Sequence, residues 1–294
     1  MRRAILVLIA LALLGAAGLI WLTIPPRLDP AIAREMEKPG DPKAGEIVFW
    51  AGGCAACHAK SADEALKLGG GAALKTPFGT IYPPNISPDP ADGVGRWSAQ
   101  QFARALYDGV GADGVQLYPA FPYPSYRHMA VADVRDLWAF LRTLPPVKGR
   151  PPAPAFNFPF NMRRAIGIWQ WLYLAPVTPP QTAVAADSAD YGRYLVEGAG
   201  HCGECHTPRD FLGGPIAAKA LSGAVLLVGK DKSPNITPSG LKDWSESDIE
   251  LALSLGIKPD GDSLGGAMAE VVRDLAHLPK SYIAAIARYL KRGG

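Results

Sequence analysis

The sequence predicts a mainly α-helical protein, with two tandem domains of one fold behind a single N-terminal transmembrane helix. Three observations lead to this expectation. An uncharged apolar run opens the chain, a five-residue cysteine motif occurs twice, and the segments around that motif repeat at nearly constant spacing. The chain has 294 residues, 48% of them hydrophobic and 19% charged, which is ordinary for a globular body.

The N-terminal segment predicts a membrane anchor. Arg2 and Arg3 precede an uncharged run over residues 4–24, which is about 31 Å long as a helix and long enough to cross a ~30 Å hydrocarbon core. A cleaved signal peptide is the alternative. The length of the run, the lack of a clear A-x-A site and Trp21 near its outer end favour an uncleaved helix. The two arginines then keep the N-terminus in the cytoplasm, so the remaining chain is expected in the periplasm of a bacterium.

The cysteine motif occupies residues 54–58 (CAACH) and 202–206 (CGECH). The pattern C-x-x-C-H is typical of c-type haem attachment, in which two thiols form thioether bonds to one haem and the next histidine binds the iron. A zinc site or a thiol redox pair is the alternative, but the two pairs lie 148 residues apart and each is followed by histidine. We therefore expect two covalently bound haem c groups, attached through Cys54, Cys57, Cys202 and Cys205, with His58 and His206 as axial iron ligands.

An internal repeat divides the chain. Pro-Asn-Ile at 84–86 recurs at 234–236, and Trp-Ser at 97–98 recurs at 244–245, each time ahead of a helical pattern. Each copy begins with a helix that carries a glycine, Gly45 or Gly192, and ends with an amphipathic helix. The predicted boundaries are an anchor over 1–28, a first haem domain over 40–146, a connector over 147–186 and a second haem domain over 187–294.

The connector carries a short apolar helix over residues 165–174, too short to span a membrane. We expect it to pack across the two haem domains. A docking surface for a partner protein or for the membrane interface is the alternative.

Longer strings carry a resemblance to a known family. Residues 76–89 (TPFGTIYPPNISPD), 117–126 (LYPAFPYPSY) and 202–214 (CGECHTPRDFLGG) resemble the two haem domains of cytochrome c subunits of bacterial periplasmic dehydrogenases. Relatives serve quinoprotein alcohol dehydrogenases or molybdenum-containing aldehyde and heterocycle oxidoreductases. The resemblance implies two cytochrome c folds, in which the first helix of each crosses the last. It also suggests that polar groups near Asn85 and Asn235 lie by the haem propionates, with loop structure as the alternative.

The sequence indicates the sixth ligand of each haem iron less directly than the histidine ligand. Met268 lies 62 residues after His206, ahead of the last helix, which favours it over His277 as the ligand of the second haem. Several relatives place methionine where this chain has Phe121, which cannot bind iron. Met129 is the expected ligand of the first haem, with His128 or an open iron as alternatives.

The expected function is electron transfer without catalysis of its own, at the bacterial inner membrane. A periplasmic dehydrogenase subunit would be the donor, and quinone, another cytochrome or a terminal oxidase the acceptor. A dihaem enzyme, such as a peroxidase or a thiosulfate-oxidising cytochrome with an open first haem, is the alternative. The net charge of +3 gives no reason to expect nucleic-acid binding.

Overall fold

The computed structural model describes residues 2–174, 176, 178–186, 188, 190–229 and 231–293. Met1 and residue 187, where the second domain is expected to begin, lie outside these ranges. The chain opens with α1 (Arg2–Leu22), the one helix in the described residues that is long and apolar enough to cross a membrane. A short helix, α2 (Pro30–Glu35), then leads into the body.

Two similar helical units form the body, with a connector between them. The first unit contains α3 (Pro42–Ala51), α4 (Cys54–His58), β1 (Leu74–Thr76), β2 (Gly79–Ile81), α5 (Ala99–Asp108), α6 (Tyr123–Tyr126) and α7 (Val131–Leu141). The connector contains β3 (Ala155–Phe156) and α8 (Ala165–Tyr173). The second unit contains α9 (Tyr191–Glu197), α10 (Gly203–His206), β4 (Ala224–Val225), β5 (Lys232–Ser233), α11 (Glu246–Leu255), α12 (Ala267–Leu275) and α13 (Lys280–Arg292).

The repeated Trp-Ser dipeptide marks the start of the same helix in each unit. Ser98 caps α5 and Ser245 caps α11, each by accepting a hydrogen bond from a backbone N–H of the first turn in a capping box. Both helices then end at a left-handed glycine, Gly109 with φ +61° and Gly256 with φ +72°. The repeat in sequence is therefore a repeat of helix start and stop signals.

Glycine permits the crossing of the first and last helices in each unit. A Cβ at Gly45 of α3 would lie 1.9 Å from the carbonyl oxygen of Asp136 in α7. A Cβ at Gly192 of α9 would lie 2.0 Å from the carbonyl oxygen of Ala285 in α13. Only glycine fits at these contacts. The close packing of the two helices offsets the roughly 1 kcal/mol that glycine costs in a helix. The predicted mainly α fold is confirmed.

The connector begins as part of the first unit. Its strand β3 pairs antiparallel with β2, with Phe156 opposite Gly79, and so completes a three-stranded sheet with β1. In the second unit, β4 and β5 form a sheet of two strands. One buried apolar cluster includes side chains from both units, so they pack as neighbours rather than as separate bodies on a tether.

The close helix crossing at Gly192 predicts that a larger side chain there lowers the stability of the protein. Gly192→Val places a branched side chain against the backbone of α13 and should lower the free energy of unfolding by about 3 kcal/mol or more. Thermal unfolding of the full holoprotein, followed by circular dichroism, measures the loss. Arg193→Val, one residue along on the exposed side of the same helix, is the control. Equal melting temperatures for the two variants would contradict a close crossing.

Candidate functional site

Each motif histidine is held by one backbone carbonyl. The Nδ1 of His58 lies 2.8 Å from the carbonyl oxygen of Pro84, and the Nδ1 of His206 lies 2.8 Å from that of Pro234. Because a carbonyl oxygen can only accept, Nδ1 carries the proton and donates it, which leaves Nε2 of each ring free to bind a metal. Burial also lowers the pKa of both histidines, which favours the neutral imidazole that metals bind.

The two proline carbonyls are functional groups that the sequence reasoning missed. They belong to the repeated Pro-Asn-Ile tripeptide, whose asparagines stabilise the loop. Asn85 donates to the carbonyls of Val147 at 2.6 Å and Gly149 at 3.0 Å, while Asn235 accepts hydrogen bonds from Thr237. These contacts give both asparagines a role in loop structure, and the repeat was the signal that could have identified the prolines.

The four cysteines form no disulfides. Burial raises the pKa of Cys54 to about 12, with Asp274 and Cys57 adding to the effect, and burial likewise raises the pKa of Cys202 to about 12. Burial therefore opposes the reactive thiolate form of both cysteines. Within the described ranges, no three His, Cys, Asp or Glu side chains come together as a metal-binding group.

The residue before each motif adopts the same left-handed conformation. Gly53 precedes Cys54 with φ +56°, and His201 precedes Cys202 with φ +38°. The two residues also face each other, since a Cβ at Gly53 would lie 3.9 Å from Cε1 of His201. The attachment loops of the two units are therefore direct neighbours.

Helix α12 of the second unit packs on the attachment motif of the first. The His277 ring, just after α12, stacks on Trp50 of α3 with 3.7 Å between ring centroids. Burial raises the pKa of Cys57, and the charges of Glu270, Cys205 and Asp274 raise it further. A Cβ at Gly53, the residue before the first motif, would lie 3.5 Å from Oδ2 of Asp274, so the α12 carboxylates lie beside the first cysteine pair.

A reciprocal contact runs from the first unit to the second. The hydroxyl of Ser125 in α6 donates to Glu204 of the second motif at 2.9 Å. The ring of Tyr126 packs edge-on against His201, with 5.6 Å between centroids. Its hydroxyl donates to the carbonyl of Gly52 beside its own motif at 3.1 Å. Thus α6 also bridges the two attachment loops.

Met268 lies in the first turn of α12 and is half-buried. The sequence places Met268 ahead of the last helix, and the structure forms a further helix at this position because the segment is amphipathic, with buried Asp274 and Leu275 on its inner side. One element therefore carries Met268 and contacts the attachment motif of the first unit.

Met129 is 2% exposed, directly before α7. Its carbonyl accepts a hydrogen bond from Tyr107 at 3.1 Å, and its Cγ would lie 3.6 Å from a Cβ at Gly198 of the second unit. Met129 thus lies at the boundary between the units.

The hairpin that follows α5 has a counterpart after α11. The backbone N–H of Leu117 donates to Gly109, and that of Leu264, 147 residues later, donates to Gly256, each at 2.7 Å. Continued at this spacing, the register places Phe121 at the position that corresponds to Met268. The structure thus distinguishes the position of Met129 in the first unit from that of Met268 in the second.

The donor sets fit haem c. Each motif offers two free thiols on a helical turn and a histidine with its Nε2 available, and nothing else is required for covalent attachment and proximal ligation. A mainly α fold with two such motifs defines a c-type cytochrome with two haem groups.

Comparisons with known proteins agree with this class. Residues 42–145, the first unit, match the family model described as "Cytochrome c". The chain is 45% identical over 295 residues to a protein of Cereibacter sphaeroides described as "Diheme cytochrome c-type", and the match covers 99% of this chain and 98% of that protein. The chain therefore belongs to the dihaem c-type cytochromes, and the prediction of two covalently bound haem c groups is confirmed.

The chain is also similar to parts of longer proteins. The chain is 39% identical to a nicotinate dehydrogenase subunit of Pseudomonas putida and 39% identical to the fructose dehydrogenase cytochrome subunit of Gluconobacter japonicus. Both matches cover 84% of this chain, but only 21% of the first protein and 51% of the second. The chain thus spans a fifth to a half of these relatives.

Removal of one cysteine pair tests the assignment of haem to motif. We expect Cys202→Ala/Cys205→Ala to lose the second covalent haem and keep the first, because each motif has its own histidine and proline carbonyl. A denaturing gel stained for haem, scaled to protein amount, should show about half the signal, since one of two attachment sites remains. The reciprocal Cys54→Ala/Cys57→Ala variant is the control. Loss of all signal at normal protein level would contradict independent attachment.

Proposed function

We propose that the protein is a membrane-anchored electron carrier that takes single electrons from a periplasmic dehydrogenase and passes them towards the respiratory chain. Bound haem iron alternates between Fe(II) and Fe(III) and so holds one electron at a time. The observation that carries the proposal is the close approach of the two attachment loops, at Gly53 and His201. It supports transfer from one haem to the other within one chain.

The proposed donor rests on the relatives. Two of them are described as subunits of dehydrogenases for nicotinate and fructose, and a third, from Gluconobacter oxydans, as the cytochrome c subunit of a quinone-dependent alcohol dehydrogenase. We infer that this chain likewise accepts electrons from a dehydrogenase subunit. Quinone, another cytochrome or a terminal oxidase is the proposed acceptor.

Contacts at the end of α1 support an anchor that is retained rather than cleaved. Thr23 is 3% exposed, and its carbonyl accepts a hydrogen bond from Gln116 at 2.8 Å. Arg164 donates to the hydroxyl of Thr23 and to the carbonyl of Ile20, both at 3.3 Å. Cleavage after the apolar run would remove groups that the body binds. The proposed location is the inner membrane, crossed once, with both haem units in the periplasm.

Isolation of the full chain from native membranes tests the proposal. With an affinity tag and mild detergent, we expect a dehydrogenase subunit to be isolated with it. The substrate of that dehydrogenase should then reduce both haems, as measured by visible absorption. The same preparation without substrate is the control. A co-isolated, active dehydrogenase that leaves the haems oxidised would contradict the proposal. Turnover of peroxide or thiosulfate by the chain alone would support the dihaem enzyme instead.

We propose His58 and His206 as the proximal iron ligands and Met268 as the second ligand of the second haem. The stacking of His277 on Trp50 supports Met268 over that histidine. For the first haem, Met129 stays the proposed ligand. The register of Phe121 with Met268 defines the rival arrangement, in which no methionine binds the first iron.

Conservative methionine variants separate these arrangements. Met268→Leu and Met129→Leu should each remove the near-infrared band of a ferric haem with a thioether ligand from one haem, while costing less than about 1.5 kcal/mol in stability. Met36→Leu is the matched control, because Met36 is also 2% exposed and is not a proposed ligand. The spectra are recorded on full holoprotein.

An unchanged band in Met129→Leu would exclude that ligand. Carbon monoxide then distinguishes the remaining cases at the first haem. Rapid stoichiometric binding to the reduced unmodified protein at neutral pH would show an open iron. Absent binding would point to His128.

A further inference from the structure

One helix of the connector presents an apolar face to solvent. Ile168, Trp171 and Leu172 lie on the same side of α8 and are 36%, 68% and 49% exposed. Met162, in the turn that leads into the helix, is 51% exposed. These four side chains are called the connector patch below. Exposed apolar side chains that cluster in this way mark a surface that meets another apolar phase.

The opposite face of α8 fixes the direction of the connector patch. Gln170 donates to the carbonyl of Asp108 in the first unit at 2.9 Å. Trp169 donates to the carbonyl of Leu212 in the second unit at 3.2 Å, and the hydroxyl of Tyr173 donates to Asp210 at 2.6 Å. The expectation that this helix packs across both haem units is met by its inner face, so the patch is held rigidly on the body.

The helix α8 also touches the end of the anchor. A Cβ at Gly167 would lie 2.8 Å from Cα of Thr23, the residue that follows α1. Arg164, one residue before α8, donates to the carbonyl of Ile20 inside the last turn of α1. The connector patch therefore lies at the level where α1 would leave the hydrocarbon core.

We propose that the connector patch inserts into the outer surface of the same bilayer that α1 crosses. This inference rests on the proposed anchor. Continuity with α1 selects a lipid surface as the occupant. The residue types agree, because an exposed tryptophan beside aliphatic side chains suits the boundary between acyl chains and phosphate groups.

The size of the patch argues against a protein partner. A stable protein interface buries about 800 Å² on each side, from some 20–30 residues. Three side chains on one short helix and one in the turn before it offer less than that. Insertion into a bilayer requires no such minimum buried area here. The helix α1 already holds the body at the membrane surface, and the patch adds to that attachment. The patch would then fix how both haem units are oriented above the membrane.

Labelling from the lipid phase tests this inference. The full holoprotein is reconstituted into vesicles of phosphatidylethanolamine and phosphatidylglycerol that contain a phospholipid with a diazirine near the glycerol end of one acyl chain. After irradiation and digestion, mass spectrometry measures the label on each peptide. We expect label on the anchor peptide and on the peptide that contains residues 162–172.

A matched pair of variants assigns the label to the patch. Trp171→Ser/Leu172→Ser should lower labelling of the connector peptide about fivefold or more and leave the anchor peptide unchanged. Val225→Ser/Leu255→Ser is the control, because those side chains are similarly exposed, at 62% and 65%, but belong to the second unit. It should leave both peptides labelled.

The outcomes separate this inference from the proposed anchor. A labelled anchor with an unlabelled connector would overturn the connector patch and leave the anchor standing. Two unlabelled peptides would overturn both. The same irradiation can be carried out in native membranes. Cross-linking of the connector peptide to another protein rather than to lipid would overturn the lipid proposal and identify the patch as a protein-docking surface.

Discussion

The close approach of the two attachment loops is the constraint around which the two units are arranged. Gly53 and His201 both adopt the left-handed conformation that turns the chain into a haem motif, and they face each other across the boundary between the units. Around this point, α12 packs on the first motif and α6 on the second. A left-handed conformation is strained for histidine, so the surrounding contacts of His201 have to hold it. The haem sites therefore depend on the packing between the units as well as within each one.

Much of each unit could be predicted because its determinants are local. The cysteine motifs, the serine caps of α5 and α11 and the glycines at the helix crossings are read within a few residues of where they act. Each unit ends in a helix, α7 or α13, as the sequence pattern predicted. The cysteines and histidines of the candidate sites followed from a motif whose chemistry needs those residue types at that spacing.

The contacts between the units could not be predicted in the same way. Trp50 and His277 are more than 200 residues apart in the sequence. The local sequence around either residue does not indicate that their rings stack. The hydroxyl of Tyr194 in α9 donates to Asp133 in α7, which is again a contact between units. The place of Met129 depends on such contacts. Phenylalanine at position 121 and the place of Met129 just before the closing helix suggested a ligand, whereas the surroundings of Met129 include Gly198 of the other unit.

The charges around α12 differ between the two motifs. Asp274 is 5% exposed beside the first motif, and burial raises its pKa to about 6, so the carboxylate is mostly ionised at neutral pH. At the second motif, Glu204 is paired with Arg209, which balances its charge. A buried negative charge favours ferric over ferrous iron because ferric iron carries the larger positive charge. Asp274 would therefore act on the first haem, while the carboxylate at the second motif is balanced by Arg209, so α12 makes the electrostatic surroundings of two otherwise repeated sites unequal.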